Sequence, residues 1–153
     1  AQVILKPDCV LGLATGSTPI GAYKQLAAWY KKGDVDFAEV STYNLDEYRG
    51  LSHDDPQSYH YFMRENFFDH INIQANSRLF DSIDDVPRQA YTMGTQTIMY
   101  ARMILVVANG EAKAQAVHDM CYGPVTPECP ASILQLHTNC VVVADEAALS
   151  LCE

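Results

Sequence analysis

Residues 9–19 constrain the fold of this chain more than any other stretch. Residues 9–14 are apolar at successive positions, which predicts a strand buried on both faces, as in a parallel sheet covered by helices. A loop of small and hydroxyl residues follows, and Pro19 is suited to the first position of a helix that Gly33 can end. A strand–loop–helix unit of this kind predicts an α/β fold, in which ligands bind at the carboxyl ends of strands.

The rest of the chain continues this alternation of apolar runs and helical patterns. Ser58 is suited to cap a helix, and a polar loop is expected between residue 45 and that helix. Because strands alternate with helices, we expect a mainly parallel sheet within a single α/β domain over residues 1–153. Strands are predicted over residues 40–45, 103–108 and 140–144, and helices over residues 58–69, 95–100, 111–121 and 131–135, with a last helix after Asp145.

Composition excludes several classes of partner. Ten basic residues against nineteen acidic ones give a net charge of −9, which argues against binding to nucleic acid or to an anionic membrane surface. No apolar run approaches the ~20 residues needed to span a bilayer, and no signal peptide is visible. The five cysteines form no Cys-x-x-Cys pair, so we expect reduced thiols and a cytoplasmic location in preference to a disulfide framework.

The loop after the first strand is a candidate phosphate site. Thr15, Gly16, Ser17 and Thr18 offer backbone N–H groups and hydroxyls at the start of a helix, where the helix dipole favours an anion. The sequence is neither a Walker loop nor a dinucleotide-binding fingerprint. The alternative interpretation is an ordinary helix cap.

Three charged residues are further candidates. Asp46 and Glu47 are adjacent, so on an extended backbone only one of them would face a substrate, where it would serve as a general base. Lys113 lies in the first turn of a predicted helix, where a cation opposes the helix dipole and therefore indicates an external anion. The alternatives are a solvated loop charge and a solvated surface lysine. The five histidines show no compact ligand spacing, so we expect no metal site.

Taken together, these motifs make the chain resemble the glucosamine-6-phosphate deaminase family. The related 6-phosphogluconolactonases share a similar phosphate loop, but they carry Asp-Glu-Arg where this chain has Asp46, Glu47 and Tyr48. The stretches that carry the resemblance are residues 11–19, 44–51, 55–59, 75–78, 86–94 and 130–135.

The resemblance implies a three-layer, Rossmann-like α/β fold of the sugar-phosphate isomerase and deaminase type. It implies conversion of glucosamine 6-phosphate into fructose 6-phosphate and ammonia, without a metal or an organic cofactor. By the same resemblance, Asp46 is the base that moves a proton between C2 and C1. Residues 15–18 and Lys113 hold the phosphate, and Glu47 is assigned to substrate binding. The expected partner is a phosphorylated amino sugar, and a homo-oligomer is left open.

The chain departs from the family pattern between Gln74 and Ala75. A long central segment of the family, with the histidine that assists ring opening, has no counterpart at this junction. The usual N-terminal helix of the family also has no counterpart in the sequence. We expect a longer polypeptide of which this sequence is an incomplete record, and an internal deletion is the second interpretation. The alternatives to a deaminase are a non-catalytic sugar-phosphate-binding remnant and a 6-phosphogluconolactonase-like hydrolase.

Overall fold

Strands and helices alternate along the chain much as the sequence pattern predicts. The computed structural model describes residues 1–73 and 90–152. The helices are α1 (Gln2–Leu5), α2 (Ile20–Lys32), α3 (Tyr59–Asn66), α4 (Thr95–Met99) and α5 (Ala114–Tyr122). The strands are β1 (Val10–Leu13), β2 (Ser41–Asn44), β3 (Asp46–Tyr48), β4 (Ala90–Thr92), β5 (Ile104–Ala108) and β6 (Cys140–Ala144). Short 3₁₀ segments cover Phe68–His70, Glu111–Lys113 and Pro130–Leu136.

The described strands form three two-stranded sheets. β1 pairs with β2 and β5 pairs with β6, both in parallel, with Leu11 opposite Thr42 and Val106 opposite Val142. β3 and β4 form an antiparallel pair. The predicted α/β fold with mainly parallel strands is confirmed by this architecture and by the structural neighbours described below.

The chain divides into two compact units, Ala1–Met93 and Gly94–Glu153. The prediction of a single domain over residues 1–153 stays a prediction. In the first unit, the core gathers around aromatic side chains: the buried ring of Tyr23 stacks on Phe67 with centroids 5.0 Å apart, and Phe37 meets Phe67 edge-on at 5.5 Å. Burial of a side chain such as Met63 or Phe67 contributes about 1.5–3 kcal/mol, so these contacts fix α3 in place.

In the second unit, α5 buries Ala114, Val117 and Met120, which lie three residues apart on one helical face. The helix packs against the 3₁₀ segment Pro130–Leu136. Gln135 donates through Nε2 to the carbonyl oxygens of Met120 and Gly123, at 2.9 Å each. These bonds satisfy carbonyl groups at the carboxyl end of α5, which explains why the helix ends there.

Several predicted elements need correction. Residues 46–48 were expected in a polar loop, but they form β3, because β4 supplies hydrogen-bonding partners from more than forty residues further along the chain. The expected helix after Asp145 is a series of turns. The helix α1 was not predicted. Within residues 1–73 and 90–152, no helix combines the length and the apolar character needed to cross a membrane.

Candidate active site

The backbone that leads into the loop formed by residues 15–18 is anchored by two side chains, one buried and one half-buried. The hydroxyl of Tyr23 donates to the carbonyl oxygen of Ala14 at 2.5 Å, and Asn44 donates through Nδ2 to the carbonyl of Leu13 at 3.3 Å. Burial raises the pKa of Tyr23 to about 12, so its hydroxyl stays protonated and keeps donating. The backbone leading into the loop is therefore held at the end of β1.

Within the loop, Gly16 adopts a positive φ of 91°, which favours glycine. Gly16, Ser17 and Thr18 are exposed, and Thr15 is half-buried. The N-cap position of α2 falls on Pro19, where no side-chain cap hydrogen bond is made. The phosphate site and the ordinary helix cap both stay predictions for the hydroxyl residues of this loop.

Asp46 begins β3 and lies opposite Thr92 of β4. Its side chain is half-buried. Burial, followed by the negative charge of Glu47, raises the pKa of the Asp46 carboxyl above its ordinary value. A carboxylate with a raised pKa is a stronger base than an exposed one, which suits proton abstraction.

Glu47 makes contacts of a different kind. Its Oε1 accepts hydrogen bonds from the backbone N–H groups of Tyr48 at 2.8 Å and Tyr59 at 3.0 Å. Its Oε2 accepts from the N–H of His60 at 2.9 Å. The carboxylate therefore binds the first turn of α3, and direct binding of substrate by Glu47 stays a prediction.

Tyr59 joins the loop to the β3 carboxylate. Its hydroxyl lies 3.4 Å from the hydroxyl of Tyr48, and the two rings are 5.0 Å apart. The pKa of Tyr59 is raised to about 12, first by the bond to Tyr48, then by burial and by the charge of Asp46, while a hydrogen bond from Thr15 opposes the rise. Tyr59 is thus near both candidate groups of the first unit, Thr15 and Asp46.

The sequence reasoning did not select Tyr59, because it belongs to an aromatic run that predicts a core face and a surface face. A signal was present, however. Tyr59 directly follows Ser58, the N-cap of α3, whose Oγ accepts from the N–H of Tyr61 at 3.0 Å. A residue at that position starts the helix and lies next to the incoming loop.

Lys113 belongs to the second unit. It is exposed, and it occupies the N-cap position of α5, one residue earlier than a first-turn position. Its backbone N–H donates to the carbonyl of Gly110 at 3.0 Å. The N–H of Gly110 in turn donates to the carboxylate of Asp145 at 3.0 Å, which ties the turn after β5 to the end of β6.

Two other features of the described residues lie apart from this site. A cavity of about 410 Å³ in the first unit is lined mainly by apolar side chains of α1, α2 and β1, and the loop and Asp46 do not contribute to it. Among residues 1–73 and 90–152, no group of three or more His, Cys, Asp or Glu side chains is arranged to hold a metal ion.

Solved structures define the class of this fold. One, described as a monomeric glucosamine-6-phosphate deaminase of the NagB superfamily, matches with a TM-score of 0.87 and 33% identity, covering 98% of this chain and 90% of that one. The 6-phosphogluconolactonase of Leishmania guyanensis matches in fold at a TM-score of 0.65 and 17% identity, covering 96% of this chain and 90% of that one. The fold is therefore that of the sugar-phosphate isomerases and deaminases.

Curated relatives narrow the class to one family. The glucosamine-6-phosphate deaminase of Halothermothrix orenii is 40% identical over 219 positions, covering 99% of this chain and 91% of the relative. That of Lachnoclostridium phytofermentans is 40% identical over 211 positions, covering 94% and 89%. No protein-family model matches the sequence. The chain belongs to the glucosamine-6-phosphate deaminase family.

These alignments are longer than the chain itself. An alignment of 219 positions exceeds the 153 residues of this sequence, so the relative carries residues that have no counterpart here. The predicted junction between Gln74 and Ala75 lies outside the described residues.

Proposed function

We propose that this chain carries the deaminase site of its family at the end of β1 and the start of β3. The substrate is glucosamine 6-phosphate, and the products are fructose 6-phosphate and ammonia. One observation carries the proposal: β1 and β2 pair in parallel with Leu13 opposite Asn44, so the loop that follows β1 and Asp46, which follows β2, leave the same edge of this pair of strands. The candidate phosphate loop and a carboxylate with a raised pKa therefore start from neighbouring strand ends.

In this proposal, Asp46 removes the proton from C2 of the open-chain sugar, whose C1 aldehyde makes that proton acidic. The electron pair moves to the C1 oxygen, which takes up a proton from solvent, so that an enolamine forms. Asp46 then returns the C2 proton to C1, while the nitrogen lone pair forms the C=N bond of a protonated imine at C2. Water adds to the imine carbon and ammonia departs, so that the net reaction is a hydrolytic deamination combined with an aldose–ketose isomerisation. The raised pKa of Asp46 supports this role, because the group must both accept and release a proton.

The phosphate is proposed to bind Thr15, Gly16, Ser17 and Thr18 through backbone N–H groups and hydroxyls. The exposure of residues 16–18 and the start of α2 directly after the loop support that assignment. Lys113 is an exposed cation of the second unit, and its assignment to phosphate binding by the family resemblance stays a prediction. The assignment of Glu47 to substrate binding by the family resemblance stays a prediction, since both oxygens of its carboxylate accept backbone N–H groups.

We also propose a cytoplasmic location. All five cysteines are free thiols, which suits a reducing compartment. The net charge of −9 argues against nucleic acid and an anionic membrane surface as partners, and a phosphorylated ligand would be held by local dipoles and placed cations. Association into a homo-oligomer is left to measurement.

The test is the Asp46→Asn variant. We expect turnover to fall by at least about a thousandfold, since the base is removed, while sugar-phosphate binding changes by less than about threefold. Turnover is measured by the release of ammonia and fructose 6-phosphate, and sugar-phosphate binding is measured by calorimetric titration. The matched control is Asp34→Asn, an exposed carboxylate in the same unit. Turnover by Asp46→Asn at the rate of the unmodified chain would remove Asp46 from the mechanism.

A second candidate function is a sugar-phosphate-binding protein without turnover. It is favoured by the residues of the relatives that this chain lacks. The same two measurements on the unmodified chain separate the candidates, because a binding protein would titrate with the sugar phosphate and release no ammonia.

A further inference from the structure

The carboxylate of Glu47 forms a bridge between β3 and α3. It accepts three backbone N–H groups, two of which belong to Tyr59 and His60 at the start of α3. Ser58 accepts the N–H of Tyr61. A carboxylate from a neighbouring strand and the local cap together satisfy three amides of the first turn, which otherwise have no partner within the helix. A negative charge at this end of the helix is also favoured by the helix dipole.

This bridge determines where Tyr59 lies. The N–H of Tyr59 is bound to Glu47, while its ring packs on that of Tyr48 with centroids 5.0 Å apart and its hydroxyl lies 3.4 Å from the Tyr48 hydroxyl. Loss of the bridge would remove two hydrogen bonds that hold the first turn of α3 to β3. The placement of Tyr59 against β3 therefore depends on Glu47.

Both oxygens of Glu47 are already engaged with backbone amides, so its main contacts are with the protein itself. We propose that Glu47 is a positioning residue for the deaminase reaction, holding the start of α3 against β3 and so fixing Tyr59 against Tyr48 on the strand that begins with Asp46. This inference rests on the proposed function, in which Asp46 is the base. It assigns to the carboxylate of Glu47 a role different from that of Asp46.

The charge of Glu47 supports the same inference, since it contributes to the raised pKa of Asp46 after burial. The other titratable groups around Asp46 are Tyr48 on its own strand and Tyr59 on α3. Its partner on β4 is Thr92, which does not titrate. Next to Glu47, the ring of His60 stacks on that of His53 with centroids 4.4 Å apart.

The experiment compares Glu47→Gln, Glu47→Asp and Glu65→Gln by NMR. Glu65→Gln is the matched control, because it removes the same charge from an exposed position on α3. For Glu47→Gln we expect the amide hydrogens of Tyr59 and His60 to exchange roughly tenfold faster. The glutamine side chain keeps one oxygen, which is neutral, and replaces the other oxygen of the carboxylate with an NH₂ group, which cannot accept a hydrogen bond. We also expect the pKa of Asp46, read from its carboxyl ¹³C shift, to fall.

Glu47→Asp separates charge from geometry. Its charge remains, so the pKa of Asp46 should stay close to that of the unmodified chain, whereas the shorter side chain should leave amide exchange intermediate. Glu65→Gln should change neither quantity. If Glu47→Gln does not fold, the amide exchange rates and the Asp46 pKa measured in Glu47→Asp still test the positioning role of Glu47. Unchanged amide exchange in both Glu47 variants would overturn the inference.

Kinetics supply a separate criterion. A positioning role predicts that Glu47→Gln lowers kcat and moves the acidic limb of its pH profile to lower pH, with KM within about twofold of the unmodified chain. A large rise in KM with an unchanged Asp46 pKa would instead indicate direct contact with the sugar and contradict the inference. Because exchange and titration need no turnover, an inactive chain would count against the proposed function while leaving this test intact.

Discussion

At the scale of single residues, Asp46 combines a candidate role in catalysis with an unfavourable contribution to folding. Its pKa is raised in the folded chain by burial and by Glu47. The folded state therefore holds the Asp46 proton more tightly than the unfolded state does. It follows that ionisation of Asp46 reduces stability at neutral pH, as is common for groups at functional sites.

We therefore expect Asp46→Asn to be more stable than the unmodified chain at pH 7. The sign follows from the raised pKa: the penalty is absent while Asp46 is protonated and grows as the pH rises past its ordinary value of about 4. The advantage of the variant should accordingly disappear as the pH falls through that range. Urea unfolding at several pH values measures it, and a variant that is less stable at pH 7 would contradict the raised pKa.

Asp36 lies in the same unit as Asp46, and its pKa is shifted in the opposite direction. The N–H of Ala38 and the side chain of Asn72 donate to its carboxylate, and these hydrogen bonds lower its pKa. The ionised carboxylate of Asp36 stabilises the folded state at neutral pH, and this stabilisation is lost as the pH falls through the lowered pKa. Asp36→Asn should therefore be less stable than the unmodified chain at pH 7, with a difference that shrinks in acid.

The residues of the site differ in how far the sequence identifies them. Asp46 follows an apolar run, and Thr15 belongs to a hydroxyl-rich loop before a proline, so local patterns indicate both. The contacts of Glu47 with Tyr59 and His60 depend on the packing of a strand against a helix twelve residues further on, which no local pattern records. Tyr59 was missed for the same reason.

At the scale of elements, the β1–loop–α2 unit depends on two glycines with left-handed backbone. Gly16 lies in the loop with φ of 91°, and Gly33 ends α2 with φ of 81°. A Cβ at either position would meet nothing within 4 Å, so the cost of alanine comes from the backbone alone. The two positions therefore form a matched pair, one within the candidate phosphate loop and one away from it.

We expect Gly16→Ala and Gly33→Ala to lower the free energy of unfolding by a similar amount, about 1–2 kcal/mol, because both place a Cβ in the left-handed region. Only Gly16→Ala should also weaken binding of inorganic phosphate, by about tenfold or more, since relief of strain would turn the loop N–H groups away from the anion. Calorimetric titration measures the binding. Equal phosphate affinity in the two variants would indicate that the loop is not the anion site.

Elements with a regular pattern were predicted to within about three residues. β6 has the predicted bounds, and the cap of α3 falls on Ser58 as predicted. β3 and β4 were missed because each has three residues, too few for an alternating pattern, and each is a strand only because the other is its partner. The pairing of the described strands into three separate two-stranded sheets likewise depends on contacts between residues far apart in the sequence.

At the scale of the whole molecule, an apolar sheet face in the second unit is exposed. Along β5 and β6, exposed and half-buried residues alternate. Leu105 lies opposite Val141 and Val107 opposite Val143 on the exposed face. Contiguous apolar surface of this kind favours self-association and binds hydrophobic dyes. The relatives align over more positions than this chain has residues, so they possess additional chain that this sequence lacks.

We expect the double variant Leu105→Thr with Val143→Thr to bind less hydrophobic dye and to self-associate less than the unmodified chain. These side chains are 57% and 53% exposed, so the variant should change the free energy of unfolding by less than about 1 kcal/mol. Threonine is β-branched and suits a strand, so far-UV circular dichroism should be unchanged.

The control is Val106→Thr with Val142→Thr, a cross-strand pair on the opposite, half-buried face of the same sheet. Because these hydroxyls would enter a partly apolar environment, we expect a loss of about 1–3 kcal/mol and no reduction in dye binding. Dye fluorescence, sedimentation and urea unfolding distinguish the two variants. If the first pair destabilised the chain as much as the second, both faces of the β5–β6 sheet would be packed in solution, and the exposed face would be covered by another part of the protein or by a second copy.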